Sequence, residues 1–327
     1  MRPPPVWKWR FFVRLALSLG VIWLVAAQFD TEQVWLAFAR LQAVYLIPIV
    51  LVLTPLAVVL RSLRWRCLVP GGEEIPLRSY IGAYVVGLLA NLLLLGRLGD
   101  AVKAKLICRA QMSYAKSLTT VVIDRILEGV ALLLVFAGVL LSADLPAWAN
   151  RTGWIGGATG LAFLLGLRWL FVHRKQFLRL LERGLERFPQ RMRLPVLRTA
   201  GSMLAGIEAL TDYRRTLLAT AYGLAVWAVE LVAVSAFLAA FSIEVPRLTA
   251  SLVILVVLNF GMLVPITPGS VGVYQLLCVY ALAIWGVDEQ LAFSLGITMQ
   301  AVLFIPVYVA GTAWLVATPF MSEKTAA

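Results

Sequence analysis

The sequence predicts an all-α, polytopic membrane protein, with residues 1–327 forming a single integral membrane domain. Two features of composition lead to this prediction. Hydrophobic residues make up 61% of the chain and charged residues only 14%, and the mean hydropathy is +0.88. A soluble domain of this length does not have that balance. The third feature is the order of segments, because long apolar runs alternate with short basic stretches.

Nine apolar runs follow one another, and we expect about eight apolar helices together with re-entrant hairpins. The runs cover residues 11–27, 44–60, 80–96, 118–141, 153–172, 216–241, 249–264, 271–286 and 290–316. Short basic segments stay in the cytoplasm. The basic N-terminal tail and the segment 61–79 are therefore expected inside, and the loop 28–43, with Asp30 and Glu32, outside. The prediction is a multi-pass protein of the cell inner membrane with both termini cytoplasmic.

The run 80–96 decides the topology. If it crossed the membrane completely, residues 97–116 would lie outside with five Lys or Arg against one carboxylate, Asp100. That violates the rule that places short basic segments in the cytoplasm. We therefore predict that 80–96 enters the membrane and returns as a re-entrant hairpin. Each later loop then lies on the side that its charge favours.

A second break lies between Asn259 and Gln275, where prolines and glycines interrupt two apolar runs. Proline removes an N–H donor and glycine permits tight turns. Broken helices at membrane depth mark substrate sites in many transporters, and a short surface loop is the alternative. Both breaks start at an asparagine, which would suit an inverted repeat. The predicted cavity wall consists of Gly96, Gly99, Asn259, Pro265, Thr267, Pro268, Gly269, Gly272 and Gln275.

The segment 173–215 carries ten Lys or Arg residues and is predicted to be a cytoplasmic, basic, amphipathic segment of the membrane domain. Leu178, Leu181 and Leu185 form an apolar stripe, and Arg179 and Arg183 recur four residues apart. This pattern is typical of a helix that lies on the inner leaflet as a structural anchor, with a lipid-regulatory role as the alternative.

Ionisable side chains within apolar runs are costly, and they are expected to be functional. Asp124 and Glu128 are four residues apart and share a helix face. Glu230 has no charged neighbour in its own run, so it needs a partner from another helix, such as Arg97, Lys103 or Arg125. Arginine suits phosphate because its planar fork donates two parallel hydrogen bonds. The predicted headgroup site consists of Arg61, Arg64, Asn91, Arg97, Asp100, Lys103, Asp124, Arg125, Glu128 and Glu230. A structural ion pair between helices and ordinary cytoplasmic positive charge are the alternatives.

Other functional classes have little support in the sequence. The net charge of +12 is spread between apolar runs, without a basic arm, zinc motif or RNP-like stretch, so we expect no nucleic-acid partner. The sole histidine, His173, has no carboxylate nearby, and there is no Walker A sequence. We therefore expect no catalytic residue, no metal, no cofactor and no ATPase activity. A membrane transferase that uses Asp30 and Glu32, or Asp124 and Glu128, is a further alternative.

Four blocks carry a family resemblance: Arg61–Leu68, Asn91–Lys103, Val122–Glu128 and Pro265–Gln275. In this order they resemble the flippase-like membrane domain of lysylphosphatidylglycerol synthases and its stand-alone relatives, over nearly the whole chain. The resemblance implies movement of phospholipids or polyprenyl-linked lipids between leaflets. Bifunctional members add an aminoacyl-transferase domain, which would follow the last apolar run, so we expect no lysyl transfer by this sequence.

Three positions differ from the pattern of that family. Its members often have proline where Gly96 stands, arginine where Lys103 stands and glutamate where Gln275 stands. The amide at Gln275 puts proton coupling, or recognition of a cationic headgroup, in question at this position.

The predicted function is transport of a phospholipid or polyprenyl-phosphate-linked lipid between leaflets, without ATP hydrolysis, by alternating exposure of a polar cavity. Membrane lipids are the expected partners. The alternative is a scaffold or accessory subunit that does not transport but supports a lipid-modifying or glycosyltransferase enzyme. An enzyme partner and a homo-oligomer are both left open.

Overall fold

The computed structural model has helices joined by short turns, and no strand, in the residues that it describes, which are 31–39, 41–93, 98–108, 113–142, 173–186, 212–262 and 270–317, with scattered positions between 151 and 201. The helices in chain order are α1 Thr31–Ala39, α2 Ala43–Leu68, α3 Leu77–Leu93, α4 Gly99–Ile107, α5 Tyr114–Ser142, α6 Arg174–Gly184, α7 Tyr213–Ala240, α8 Arg247–Gly261, α9 Val273–Leu282 and α10 Glu289–Ala317. The predicted all-helical class is confirmed.

Three of the described helices, α2, α7 and α10, are long and apolar enough to cross a membrane. At 1.5 Å per residue each is about 40 Å long, which exceeds the hydrocarbon core of about 30 Å. Helix α5 has 29 residues, but its first half carries Asp124, Arg125 and Glu128. These helices support the prediction of a polytopic membrane protein.

Helices α8 and α9 have only 15 and 10 residues and are too short to cross the hydrocarbon core. They pack closely, because a Cβ on Gly261 would lie 2.5 Å from Leu277 Cδ2. Helix α9 begins after Gly272, whose φ of 84° favours glycine. The two predicted apolar runs are therefore separate helices that contact each other. The connection 263–269, which contains Pro265, Thr267, Pro268 and Gly269, lies outside the described residues.

Helices α3 and α4 form a second close pair. A Cβ on Gly87 would lie 3.0 Å from both the carbonyl oxygen of Gly99 and Cβ of Lys103, so α4 folds back along α3. A re-entrant hairpin requires this arrangement, although its depth in the membrane stays a prediction. Gly96 and Arg97 belong to the connection 94–97, outside the described residues.

The contacts divide the chain into two compact units, one of residues 1–54, 88–98 and 230–313, and the other of residues 55–87, 99–229 and 314–327. The second unit has an apolar core in which Trp65 meets Tyr80 edge to face at 5.2 Å between ring centroids. A smaller apolar cluster consists of Leu68, Ile123 and Ala219, which lie on α2, α5 and α7. In this unit a Cβ on Gly82 would overlap the ring of Trp314.

Two sequence-based expectations need correction. The segment 28–43 is not simply a loop, because it contains α1, whose nine residues include neither glycine nor proline and carry Glu32 in the first turn. The apolar stripe of α6 does not face only lipid. Leu178 packs against the cluster of Leu68, Ile123 and Ala219, so this stripe attaches the helix to the protein.

Candidate functional site

Seven charged side chains from α2, α4 and α5 meet inside the second unit. The spacing within each helix explains why: residues three or four apart lie on the same helix face. Helix α2 contributes two arginines, α4 contributes a carboxylate and a lysine, and α5 contributes two carboxylates and an arginine. The members of this charged cluster are Arg61, Arg64, Asp100, Lys103, Asp124, Arg125 and Glu128.

Asp124 is the most deeply buried carboxylate of the charged cluster. Its side chain is fully inaccessible, and it accepts hydrogen bonds from Arg64 Nε at 2.8 Å and from Lys103 Nζ at 3.0 Å. Both of its oxygens therefore have a cationic partner. Since Arg64 is also fully inaccessible, it does not carry ordinary cytoplasmic surface charge.

Glu128 joins three arginines. Its Oε1 accepts from Arg61 Nε at 3.1 Å, and its Oε2 accepts from Arg125 Nη1 at 2.9 Å and lies 3.3 Å from Arg64 Nη2. The backbone carbonyl of Glu128 accepts a hydrogen bond from the indole of Trp227 at 3.0 Å. Helix α7 thus fixes the turn of α5 that carries this carboxylate.

The edge of the charged cluster is open to solvent. Asp100 accepts two hydrogen bonds from Arg125, at 2.9 Å from Nη2 and 3.3 Å from Nε, in the two-pronged geometry of an arginine–carboxylate pair. The two side chains are 20% and 32% exposed, whereas Asp124 and Arg64 are inaccessible. A ligand that enters the charged cluster would meet this pair first.

Aromatic rings enclose Lys103. Its ammonium nitrogen lies 4.3 Å from the centroid of Trp65 and 4.6 Å from that of Tyr84, distances at which a cation is attracted to a ring face. The indole of Trp65 donates to Thr120 Oγ1 at 3.1 Å, which fixes that ring. The rings reduce the cost of holding an ammonium group away from water.

One nitrogen of the charged cluster has no acceptor. Within the described residues Arg64 Nη1 is buried without a hydrogen-bond partner, and Nη2 is close to Glu128 without hydrogen-bond geometry. A Cβ on Gly223 would lie 3.9 Å from Nη1, so α7 passes close to the buried guanidinium without a side chain at this position. A buried unpaired donor costs about 1–3 kcal/mol, more if it is charged. Nη1 therefore retains a hydrogen bond that it can donate to an additional anionic oxygen.

The remaining predicted headgroup residues are Asn91, Glu230 and Arg97. Asn91 lies in the last turn of α3, and Gly99 begins α4. Glu230 is half-buried in α7 and belongs to the first unit. Two of its proposed partners have other contacts, Lys103 with Asp124 and Arg125 with Asp100 and Glu128. Arg97 is not among the described residues.

The predicted cavity residues of the second break have structural contacts in the first unit. Gln275 Oε1 accepts the backbone N–H of Gly272 at 2.8 Å, and its Nε2 donates to Gln300 Oε1 at 2.6 Å. Asn259 Nδ2 donates to the carbonyl of Leu255 at 2.8 Å in its own helix. Gln275 therefore caps α9 and attaches it to α10.

Sequence reasoning missed four residues of these networks: Trp65, Tyr84, Trp227 and Gln300. Tyr84 and Trp227 lie in apolar runs, and Trp65 lies in the basic segment after one, where an aromatic residue facing lipid or headgroups has the same appearance. The role of Gln300 was predictable from the sequence, because an amide in the middle of a long apolar helix needs a hydrogen-bond partner.

Comparison with known proteins identifies the family of this chain. Within the described residues no group of three or more His, Cys, Asp or Glu could hold a metal ion. No curated protein and no solved structure matches the chain. A family described as the lysylphosphatidylglycerol synthase TM region matches residues 11–311. The match covers most of the 327 residues, and the chain belongs to this family.

Proposed function

We propose that the protein moves a lipid with an anionic phosphate headgroup, a phospholipid or a polyprenyl-phosphate-linked lipid, between the leaflets of the inner membrane. The observation that supports this most is the unpaired Arg64 Nη1 inside a buried charged cluster. Guanidinium groups bind phosphate through parallel charge-assisted hydrogen bonds. Ionisable groups at such positions in membrane proteins line substrate pathways.

The carboxylates of the charged cluster act as exchangeable counter-ions. Asp100 and Glu128 hold Arg125 and Arg61 at 2.9–3.1 Å. Leaving a buried cation without its counter-ion is costly. A phosphate that takes the place of a carboxylate oxygen keeps the cation paired, so the exchange avoids this cost. Entry begins at the partly exposed Arg125–Asp100 pair and ends at Arg64.

The two helix pairs supply the moving parts. Helices α3–α4 and α8–α9 each contain a member too short to cross the membrane, and pairs of this kind form substrate sites in transporters with alternating access. Movement without ATP hydrolysis fits the sequence, which lacks a Walker A motif. The proposal includes cytoplasmic termini, membrane lipids as partners and no enzymatic activity.

A second candidate is a scaffold that supports a lipid-modifying or glycosyltransferase enzyme. The observation in its favour is the closed pairing of Asp124, whose two oxygens already contact Arg64 and Lys103. Such a network would lock α2, α4 and α5 together and require no ligand.

Leaflet exchange in proteoliposomes tests the proposal. Wild-type protein, Arg125→Ala and the control Arg78→Ala, which removes an exposed arginine, are reconstituted with fluorescent phospholipids or polyprenyl phosphates. We expect wild type and Arg78→Ala to exchange one lipid class, and Arg125→Ala to lose at least tenfold in rate. No exchange of either class by folded wild-type protein would favour the scaffold.

A further inference from the structure

A polar pocket opens in the first unit where α7 ends and α8 begins, beside the start of α2. Its volume of about 560 Å³ lies within the range of about 300–1,000 Å³ that is usual for small-ligand sites. The polar side chains that line this α7–α8 pocket are Gln42, Tyr45, Ser242, Glu244 and Arg247. The pocket shares no residue with the charged cluster, which belongs to the second unit.

The wall formed by the end of α7 has a strained backbone. Ile243 N–H donates to the carbonyl of Leu238 at 3.0 Å. The N–H of Ser242 donates to the carbonyl of Ala239 at 3.0 Å, and two such bonds form the Schellman end of a helix. Its left-handed position usually holds glycine, but here it holds Ser242 with a φ of 53°. Gln42 Nε2 donates to the hydroxyl of this serine at 3.2 Å. Strained positions of this kind concentrate at ligand sites.

Two side chains of opposite charge border the pocket. Glu244 follows the end of α7, and Arg247 is the first residue of α8. Both are exposed, and neither takes part in an ion pair among the residues that the structure describes. The helix ends carry partial charges of the same signs, because the C-terminal end of a helix is negative and the N-terminal end positive. The pocket therefore offers a position for a cation and a position for an anion.

The pocket lies at the ends of α2 and α7 that are remote from their basic ends. Arg66 is in the last turn of α2 and Arg214 in the first turn of α7. At the other end of both helices, Gln42 N–H donates to the carbonyl of Ala240 at 2.9 Å. Since short basic segments stay in the cytoplasm, we expect the pocket on the opposite side of the membrane. Tyr45 is 39% exposed there, and tyrosine is enriched at the level of lipid headgroups.

We propose that the α7–α8 pocket binds a zwitterionic ligand of the phosphoethanolamine class, which carries an ammonium group and a phosphodiester. Glu244 and the end of α7 contact the ammonium group. Arg247 and the first N–H groups of α8 contact the phosphate, and the hydroxyl of Ser242 has a hydrogen to donate. A ligand with a single charge would leave Glu244 or Arg247 without a counter-charge. The α7–α8 pocket does not depend on lipid transport by the charged cluster.

The test measures the affinity of soluble ligands for the full chain in nanodiscs of phosphatidylglycerol, which contain no competing zwitterionic lipid. The ligands are glycerophosphoethanolamine, glycerophosphoglycerol, which lacks the ammonium group, and ethanolamine, which lacks the phosphate. Isothermal titration calorimetry compares wild type with Glu244→Gln and Arg247→Gln. The matched control is Glu289→Gln, which removes an exposed carboxylate at the start of α10. Melting temperatures verify that each variant folds.

We expect glycerophosphoethanolamine to bind about fivefold more tightly than either analogue, which is the upper range for one exposed ion pair. Glu244→Gln should abolish the preference over glycerophosphoglycerol, and Arg247→Gln should abolish the preference over ethanolamine. Glu289→Gln should change neither. Equal affinity of the wild type for the three ligands would overturn the proposal. An effect of Glu289→Gln as large as that of Glu244→Gln would overturn it too.

Native mass spectrometry then distinguishes a lipid headgroup from a soluble ligand. The full chain is released from detergent with equal amounts of phosphatidylethanolamine and phosphatidylglycerol. A preference of about threefold for phosphatidylethanolamine, lost in Glu244→Gln and kept in Glu289→Gln, assigns the pocket to a lipid headgroup. Binding of glycerophosphoethanolamine without this preference assigns it to a soluble zwitterion.

Discussion

Replacing Asp124 by asparagine tests how strongly the charged cluster holds the second unit together. The side chain is fully inaccessible and forms ion pairs of 2.8 Å and 3.0 Å with Arg64 and Lys103. Asp124→Asn keeps the volume but leaves both cations without this counter-charge. Removing one partner of a buried pair costs about 3–5 kcal/mol, which corresponds to a fall in melting temperature of roughly 4–7 °C for a chain of this size.

A compensating variant distinguishes charge from packing. Lys103→Met places an apolar chain between the rings of Trp65 and Tyr84, which lie 4.3 Å and 4.6 Å from the ammonium group. Combined with Asp124→Asn, it removes one of the two stranded cations. We expect the double variant to lose less stability than the sum of the single variants, by about 1–3 kcal/mol.

Thermal unfolding in detergent, followed by the monodisperse fraction after heating, measures these shifts. The matched control is Glu244→Gln, which removes an exposed carboxylate and should change stability by less than about 0.5 kcal/mol. A melting temperature for Asp124→Asn equal to that of the control, or strict additivity in the double variant, would refute the claim that these ion pairs are coupled.

Two further predictions concern packing and the amide pair. Gly82→Ala should lower the melting temperature because its Cβ would overlap Trp314, whereas Gly129→Ala, with open space around it, should leave it unchanged or raise it; equal effects in the same heating assay would contradict this. Gln300→Leu leaves Gln275 Nε2 without the acceptor it has at 2.6 Å and should cost about 1–3 kcal/mol. Adding Gln275→Met should recover part of that loss, and a double variant worse than the sum would argue against the pairing.

The sequence was sufficient for the helical class and for much of the charged cluster. The spacing of Asp124 and Glu128 predicted a shared face, and the charge of the segment after α3 predicted that the chain turns back. The structure agrees, because Gly87 and Gly99 allow α4 to pack along α3 and bring Lys103 to Asp124.

Other properties depend on contacts between distant segments. Burial of Arg64 could not be predicted, because an arginine at the end of an apolar run looks the same whether it points to lipid phosphates or to a carboxylate 60 residues away. Gln275 was predicted to line a cavity, which stays a prediction; the structure adds that it caps α9 and binds Gln300. The partner of an amide in an apolar helix depends on which helix packs beside it, and that is a tertiary property.

Photo-crosslinking tests most directly whether a lipid phosphate enters the charged cluster. p-Azidophenylalanine replaces Tyr84, whose ring lies 4.6 Å from Lys103 Nζ, and protein in native lipid is irradiated and analysed by mass spectrometry. A second probe at Leu134, which is 55% exposed, reports general contact with lipid.

We expect lipid adducts at position 84 that excess anionic phospholipid suppresses and diacylglycerol does not, and that Arg64→Met reduces at least fivefold. The adducts at position 134 should be insensitive to both. If position 84 forms no lipid adduct while position 134 does, the charged cluster is a structural lock and the proposed headgroup site is wrong.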